Sequence, residues 1–200
     1  SGGIAVVHNG VIDNFMELRE RLRQEGHTFR SETDSEVIPH LIEKYYRGSL
    51  EEAVSRALED IEGSYAIVAI CQDSRCLVVA RKENPVIIGV GYQENFVASD
   101  VPAVLDYTDK VIYLEDGDIA TVAEGGVRIV NQGREQSRSR QVIPWSLDDA
   151  EKGGYEHFML KEIHEQPRAI LETLRGHISL AEPQVSLGVE PEAGVEEVLL

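Results

Sequence analysis

The sequence predicts an α+β fold in which helices pack on antiparallel sheets. Apolar residues between Asn14 and Ile61 recur at spacings of three and four, the period of amphipathic helices. From Tyr65 to Val130 the pattern changes to short apolar runs separated by turn residues. The two patterns are segregated along the chain rather than alternating, which argues against βαβ units around a parallel sheet.

Ile4-Ala5-Val6-Val7 is expected as a buried strand that stops at His8-Asn9-Gly10, because Asn-Gly is a strong turn signal. Asn14 to Glu25 follows as a helix with Phe15, Leu18 and Leu22 on one face, and Gly26 suits the left-handed cap behind it. Thr28-Phe29-Arg30 is short and extended. A second helix is expected from Thr33 or Asp34, both good N-caps, with Val37, Ile38, Leu41, Ile42 and Tyr45 inward and Pro39 in its early turns. Ser49 and Glu52 fit a capping box for a third helix running to about Ile61 and ended by Gly63.

Tyr65 to Cys71 is continuously apolar, as suits a strand covered on both faces. Cys76 to Ala80 returns as its hairpin partner, and Val86–Val90 with Asn95–Ala98 forms another pair. Val111–Leu114, Ile119–Val122 and Val127–Val130 are predicted as one meander, turned at Asp116-Gly117 and Gly125-Gly126. Gly, Gln, Ser and Arg dominate from Asn131 to Asp149, the texture of a surface connection. Tyr155 to Leu174 is helical but interrupted at Pro167, and Glu182 to Leu200, with no positive charge and two prolines, resembles a linker.

Thirty-six carboxylates face 19 Lys and Arg, giving a formal net charge of −17. Nucleic acid and anionic membrane are therefore disfavoured as partners, since phosphate binding needs clustered Lys and Arg. No apolar run approaches the ~20 residues of a membrane-spanning helix. Cys71 and Cys76 form no CxxC pair and have no histidine cluster beside them, which argues against zinc and for reduced, buried thiols in a cytoplasmic protein. No metal or cofactor is expected.

Three places could carry chemistry. At His8-Asn9-Gly10, an Asn amide and a Gly N–H side by side can form an oxyanion hole, although the dipeptide is also an ordinary turn. In Ser31-Glu32-Thr33-Asp34-Ser35-Glu36, Asp34 is either a helix cap or a carboxylate holding an ammonium group. In Tyr155 to Pro167, His157 and His164 lie seven apart on one helical face, too few ligands for a metal site. His27, His40 and His177 show no nucleophile-and-acid arrangement. Ser1 is a candidate N-terminal nucleophile by position, but it lies too close to Asn9-Gly10 to open the first strand of such a fold.

At these motifs the sequence resembles the glutamine–fructose-6-phosphate aminotransferase family. The matching stretches are Ile4 to Asn14, Phe29 to Ile38, Glu62 to Ala66, Ala98 to Asp100, Leu114 to Ile119 and Tyr155 to Pro167, in the family's order. The Asn-Gly site is shared by all class II glutamine amidotransferases. The Tyr155–Pro167 helix is the discriminating part, because it resembles the family's link from the glutaminase to the isomerase domain. The phosphoribosyl-pyrophosphate and asparagine-forming amidotransferases should lack it.

The resemblance implies a four-layer αββα sandwich of the N-terminal nucleophile hydrolase type. Residues 1–131 would be a partial glutaminase domain, 132–154 a connection, and 155–200 a linker helix and the start of the isomerase region. An N-terminal Cys would attack the glutamine amide, with Asn9 and Gly10 as the oxyanion hole and Asp34 binding the α-ammonium. Ammonia would then convert fructose 6-phosphate to glucosamine 6-phosphate, in an enzyme that is a homodimer when full length. The Cys-Gly-Ile start and the Arg-Trp loop of the family are absent from residues 1–200, so the chain is expected to be N-terminally truncated and inert alone. A nucleophile-free binding module is the alternative.

Overall fold

The computed structural model describes residues 3–144, 155–174, 178–179 and 184–185. The chain divides into two compact units, 1–147 and 148–200.

The first unit opens with β1 (Ile4–Ile12), followed by helices α1 (Phe15–Gln24), α2 (Val37–Tyr45) and α3 (Leu50–Asp60). A 3-10 turn at Asp34–Glu36 leads into α2. Strands β2 (Gly63–Cys71), β3 (Cys76–Lys82), β4 (Ile87–Val90), β5 (Asn95–Ala98), β6 (Lys110–Tyr113), β7 (Asp118–Ala123), β8 (Gly126–Asn131), β9 (Arg134–Gln136) and β10 (Arg140–Val142) complete it. They form two antiparallel sheets, β1-β2-β3-β7-β8-β9 and β10-β6-β4-β5.

Strand alternation sorts the apolar residues into layers. On one face of the large sheet, Ile12, Tyr65, Ile67, Ala69, Val78 and Ala80 pack against Leu18 and Leu22 of α1, Val37, Ile38, Leu41 and Ile42 of α2, and Val54 and Ala57 of α3. On the opposite face, Ala66, Val79, Ala120, Val122 and Ile129 meet Ile88 and Ile112 of the small sheet and Val86 and Leu114, which flank its strands. The outer side of the small sheet is covered by Val101 and Val104, from a 3-10 turn and its flank, and by Ile143. The order is helices, sheet, sheet, and then this irregular segment.

Several expectations are corrected. The first strand does not stop at Asn9-Gly10. It pairs with β2 without a break from Ile4↔Cys71 to Ile12↔Gly63, placing Asn9 opposite Ala66 and Gly10 opposite Tyr65. The local turn signal is overridden by a nine-residue ladder, and Gly10 keeps φ +134° within it. A Cβ there would stand 2.2 Å from the Ser64 carbonyl oxygen. Gly63 does not cap α3; it begins β2 at φ +118°, where a Cβ would meet the Val11 carbonyl oxygen at 2.2 Å. Ser49 caps α3 as expected, its Oγ accepting from the Glu52 N–H at 3.3 Å.

The expected meander is split. β6 belongs to the small sheet, and Asp116-Gly117 carries the chain across to β7 in the large one. The connection expected from Asn131 contains β9 and β10, one in each sheet, so the first unit runs past residue 131. Their polar residues lie on exposed edge strands, which apolar periodicity does not mark.

In the second unit, α4 (Phe158–Leu174) runs through Pro167 rather than being interrupted there. Two short strands, β11 (Ile178–Ser179) and β12 (Gln184–Val185), pair antiparallel. The rest of the expected Glu182–Leu200 linker lies outside the described residues. Among the described residues, no helix is long and apolar enough to cross a membrane.

Candidate active site

β1 is an edge strand of the large sheet, and its inter-sheet face is uncovered: Val7 is 69% and Val11 58% exposed. Asn9 lies on this face between them, because successive side chains alternate. Val7, Asn9, Ala66 and Val68 from the large sheet face Pro85, Val86, Val97, Ala98 and Ser99 across a cleft of about 320 Å³. The cleft opens where β1 and β5, the edge strands of the two sheets, come together.

Backbone direction places the second donor. The Asp13 N–H donates to the Glu62 oxygen and the Gly3 oxygen accepts from Gln72, so odd-numbered peptide groups of β1 face β2. Even-numbered ones, including Gly10 and Ile12, therefore face the free edge. At that edge the Ile12 N–H donates to Asp34 Oδ2 at 2.9 Å. Thr33 occupies the N-cap position of the 3-10 turn but makes no side-chain cap bond, and Asp34 reaches across to β1 instead of capping. Gly10 and Ile12 are two residues apart, ~7 Å along a strand, a spacing comparable to an extended glutamine.

His8 and Ser35 reinforce this joint, with His8 Nδ1 2.8 Å from Ser35 Oγ. Burial lowers the His8 pKa, outweighing the opposing effect of Asp34, so the imidazole is neutral at pH 7. Behind Asp34, Glu36 accepts from Ser31 Oγ at 2.6 Å and from the N–H groups of Arg30 and Ser31 at 2.7 Å each. Burial would raise the Glu36 pKa, but these donors outweigh it and hold the group at about 2. The 30–36 loop is thus tied to its own helix and presents Asp34 to β1.

The structure brings Asn9, Gly10 and Asp34 to one end of β1. His8, Ser35 and Glu36 were not singled out from the sequence. The signal available for His8 was its even spacing from Ile12, which puts both on the helix side of the strand. Cys71 is buried opposite Ile4, five residues or roughly 17 Å along the strand from Asn9. Cys76 lies on β3 and hydrogen-bonds Ser74. In the second unit, His164 stacks on Tyr155 with ring centroids 5.3 Å apart, and His157 precedes α4.

A glutamine amidotransferase domain family matches residues 1–106. The chain is 51% identical over 180 residues to a glutamine–fructose-6-phosphate aminotransferase of Caldanaerobacter subterraneus, covering 89% of this chain and 30% of that protein. It is also 51% identical over 201 residues to the enzyme of that name from Methanothermobacter thermautotrophicus, covering 98% and 33%. The corresponding Thermus thermophilus protein is 48% identical over 189 residues, covering 94% and 31%. The chain thus spans about a third of the length of the curated relatives it matches. Among solved structures, the glutamine phosphoribosylpyrophosphate amidotransferase of B. subtilis superposes with a TM-score of 0.57 at 25% identity, over 64% of this chain and 29% of that one. An allosteric regulatory enzyme of purine biosynthesis superposes with a TM-score of 0.55 at 26% identity, over 66% and 29%. These neighbours share the N-terminal nucleophile type of α+β sandwich. With its match spanning more than half of the 200 residues, the chain belongs to the glutamine amidotransferase domain family, and within it is similar to the glutamine–fructose-6-phosphate aminotransferases.

Proposed function

We propose that this chain forms the glutamine-hydrolysing part of an enzyme that makes glucosamine 6-phosphate from fructose 6-phosphate and glutamine. The observation that carries the proposal is the end of β1: an Asn side chain in an open cleft, a Gly N–H at the free edge and a carboxylate bonded at that same edge. In this mechanism a cysteine thiolate attacks the glutamine amide carbon, and the amide oxygen becomes negative as the tetrahedral intermediate forms. The Asn9 amide and the Gly10 N–H stabilise that charge where it develops. Asp34 has one carboxylate oxygen fixed by Ile12, and its second oxygen accepts the α-ammonium of glutamine. Collapse of the intermediate expels ammonia, and water hydrolyses the thioester to glutamate.

The nucleophile is an N-terminal cysteine lying outside residues 1–200, since Cys71 and Cys76 are internal and remote from Asn9. The chain alone is then inert, and the cleft beside the free edges of β1 and β5 is where the reactive residue enters. The wider activity on fructose 6-phosphate, and assembly as a homodimer, belong to the complete protein.

The test is steady-state assay of the complete protein with glutamine, with and without fructose 6-phosphate. Glutamate release coupled to glucosamine 6-phosphate formation is expected. Absence of glutamine turnover would leave a binding module, and ammonia release by residues 1–200 alone would overturn the assignment of the nucleophile.

A further inference from the structure

Beside the first residues of β1, the structure gathers His27, His40 and Glu43 so that one donor atom of each lies within 4.8 Å of the others. His27 Nδ1 and His40 Nδ1 are 3.1 Å apart, and Glu43 Oε2 is 3.8 Å and 3.9 Å from them. Tetrahedral zinc with nitrogen ligands at 2.0–2.1 Å needs donor–donor edges of about 3.3 Å, so small side-chain adjustments close this triangle on an ion.

We propose that His27, His40 and Glu43 form a binding site for a divalent transition-metal ion of the zinc class. Two imidazoles and one carboxylate suit such an ion and are poor ligands for magnesium or calcium, which prefer all-oxygen sets. The ligands come from two elements held rigidly together. His40 and Glu43 are three apart on α2 and share a face. His27 follows the left-handed Gly26 that ends α1, and its N–H is fixed to the Leu22 oxygen at 2.9 Å. His40 is buried and packs against Phe29, with ring centroids 4.5 Å apart, while Glu43 reaches solvent. A broad cleft lined by Ile4, Val6, His27, Thr28, Pro39 and Glu43 leaves room for a water as fourth ligand.

The outer contacts fit the same chemistry. His40 Nε2 lies 3.9 Å from Glu36 Oε1. A carboxylate on that side favours the proton on Nε2, leaving the Nδ1 lone pair turned toward His27 and Glu43. The two Nδ1 atoms face each other across one hydrogen bond, which a bound ion would replace.

The experiment uses the complete protein, stripped with a chelator and titrated with Zn²⁺ and, separately, with Co²⁺ as a spectroscopic probe. One ion per chain at this site is expected, with the intense visible absorption of four-coordinate Co²⁺. His27→Gln and Glu43→Gln, both on partly exposed side chains, should each weaken binding more than tenfold, because even outer partners of a metal site are worth 10–100-fold. His157→Gln should leave binding unchanged. Circular dichroism of the metal-free variants identifies any that has failed to fold; His27→Gln and Glu43→Gln give independent readings. Zn²⁺ affinity or Co²⁺ absorption in a folded His27→Gln, Glu43→Gln double variant equal to that of the parent would overturn the site, leaving a hydrogen-bonded imidazole pair.

Discussion

At the scale of single residues, the proposed roles of Asn9 and Asp34 give different kinetic signatures. Asn9 meets an oxygen that becomes charged only in the transition state, so Asn9→Ala in the complete protein should lower kcat for glutamine by about 10²–10³ with little change in KM. Asp34 meets an ammonium charged in ground and transition states alike, so Asp34→Asn should chiefly raise KM. Near-normal kcat and KM in both folded variants would remove the assignment. Gly10 gives a structural counterpart. At φ +134°, with the Ser64 oxygen 2.2 Å from any Cβ, Gly10→Ala should cost at least ~1–3 kcal/mol in chemical denaturation, and an unchanged midpoint would contradict the β1 geometry. These sites were only partly legible in the sequence. Asn9, Gly10 and Asp34 were marked by motif. That Asp34 bonds Ile12 rather than capping α2 could not be read, because a cap and a cross-strand acceptor have the same sequence signature.

At the scale of elements, the 30–36 loop depends on one carboxylate. The Glu36 pKa is held at about 2, below its ordinary 4.5, so its contribution is present above pH ~4.5 and lost as pH falls toward 2. Glu36→Gln should destabilise by about 1–2 kcal/mol at pH 7, and the gap should close near pH 2. Urea midpoints at several pH values check this, and a gap independent of pH would refute it. The helices were legible because each buries a stripe at helical spacing, as with Leu18 and Leu22 or Val37, Ile38, Leu41 and Ile42. The sheet order was not. β6 and β7 are adjacent in sequence and similar in pattern, yet they lie in different sheets, and nothing in a two-residue period says which partner a strand chooses. β9 and β10 were missed because three residues each, all polar but Val142, are too few to show a period.

At the scale of the first unit, the chain crosses between the sheets at 83–86, 114–117 and 137–139, and the three crossings are tied to one another. Asp118, fully buried, accepts from Arg138 Nε at 2.9 Å and Nη2 at 2.8 Å, from Asn131 at 2.8 Å and from the Glu115 N–H at 2.8 Å. The Glu83 N–H donates to Asp116 Oδ1 at 2.9 Å, and the Gly117 N–H to the Arg81 oxygen at 2.9 Å. Burial alone would raise the Asp118 pKa, but Arg138 and the other donors overcome it and hold the group ionised. Asp118→Ala should therefore cost about 1–3 kcal/mol, because the Glu115 N–H and the Asn131 amide lose their acceptor, while Arg138 keeps Glu115 Oε2 at 2.8 Å. In a double-mutant cycle, Arg138→Met should cost less once Asp118 is gone than in the parent, and strict additivity would refute the coupling. The tied crossings act as a spine. Sheets bound this way open from the opposite margin, as a book does, so the unit has a slow side and a fast side in time as well as in space. In native-state amide exchange, Glu115, Gly117 and Asp118 should release their protons only with global unfolding. The Gly10 amide on the free edge of β1 should exchange far faster, without waiting for the unit to unfold.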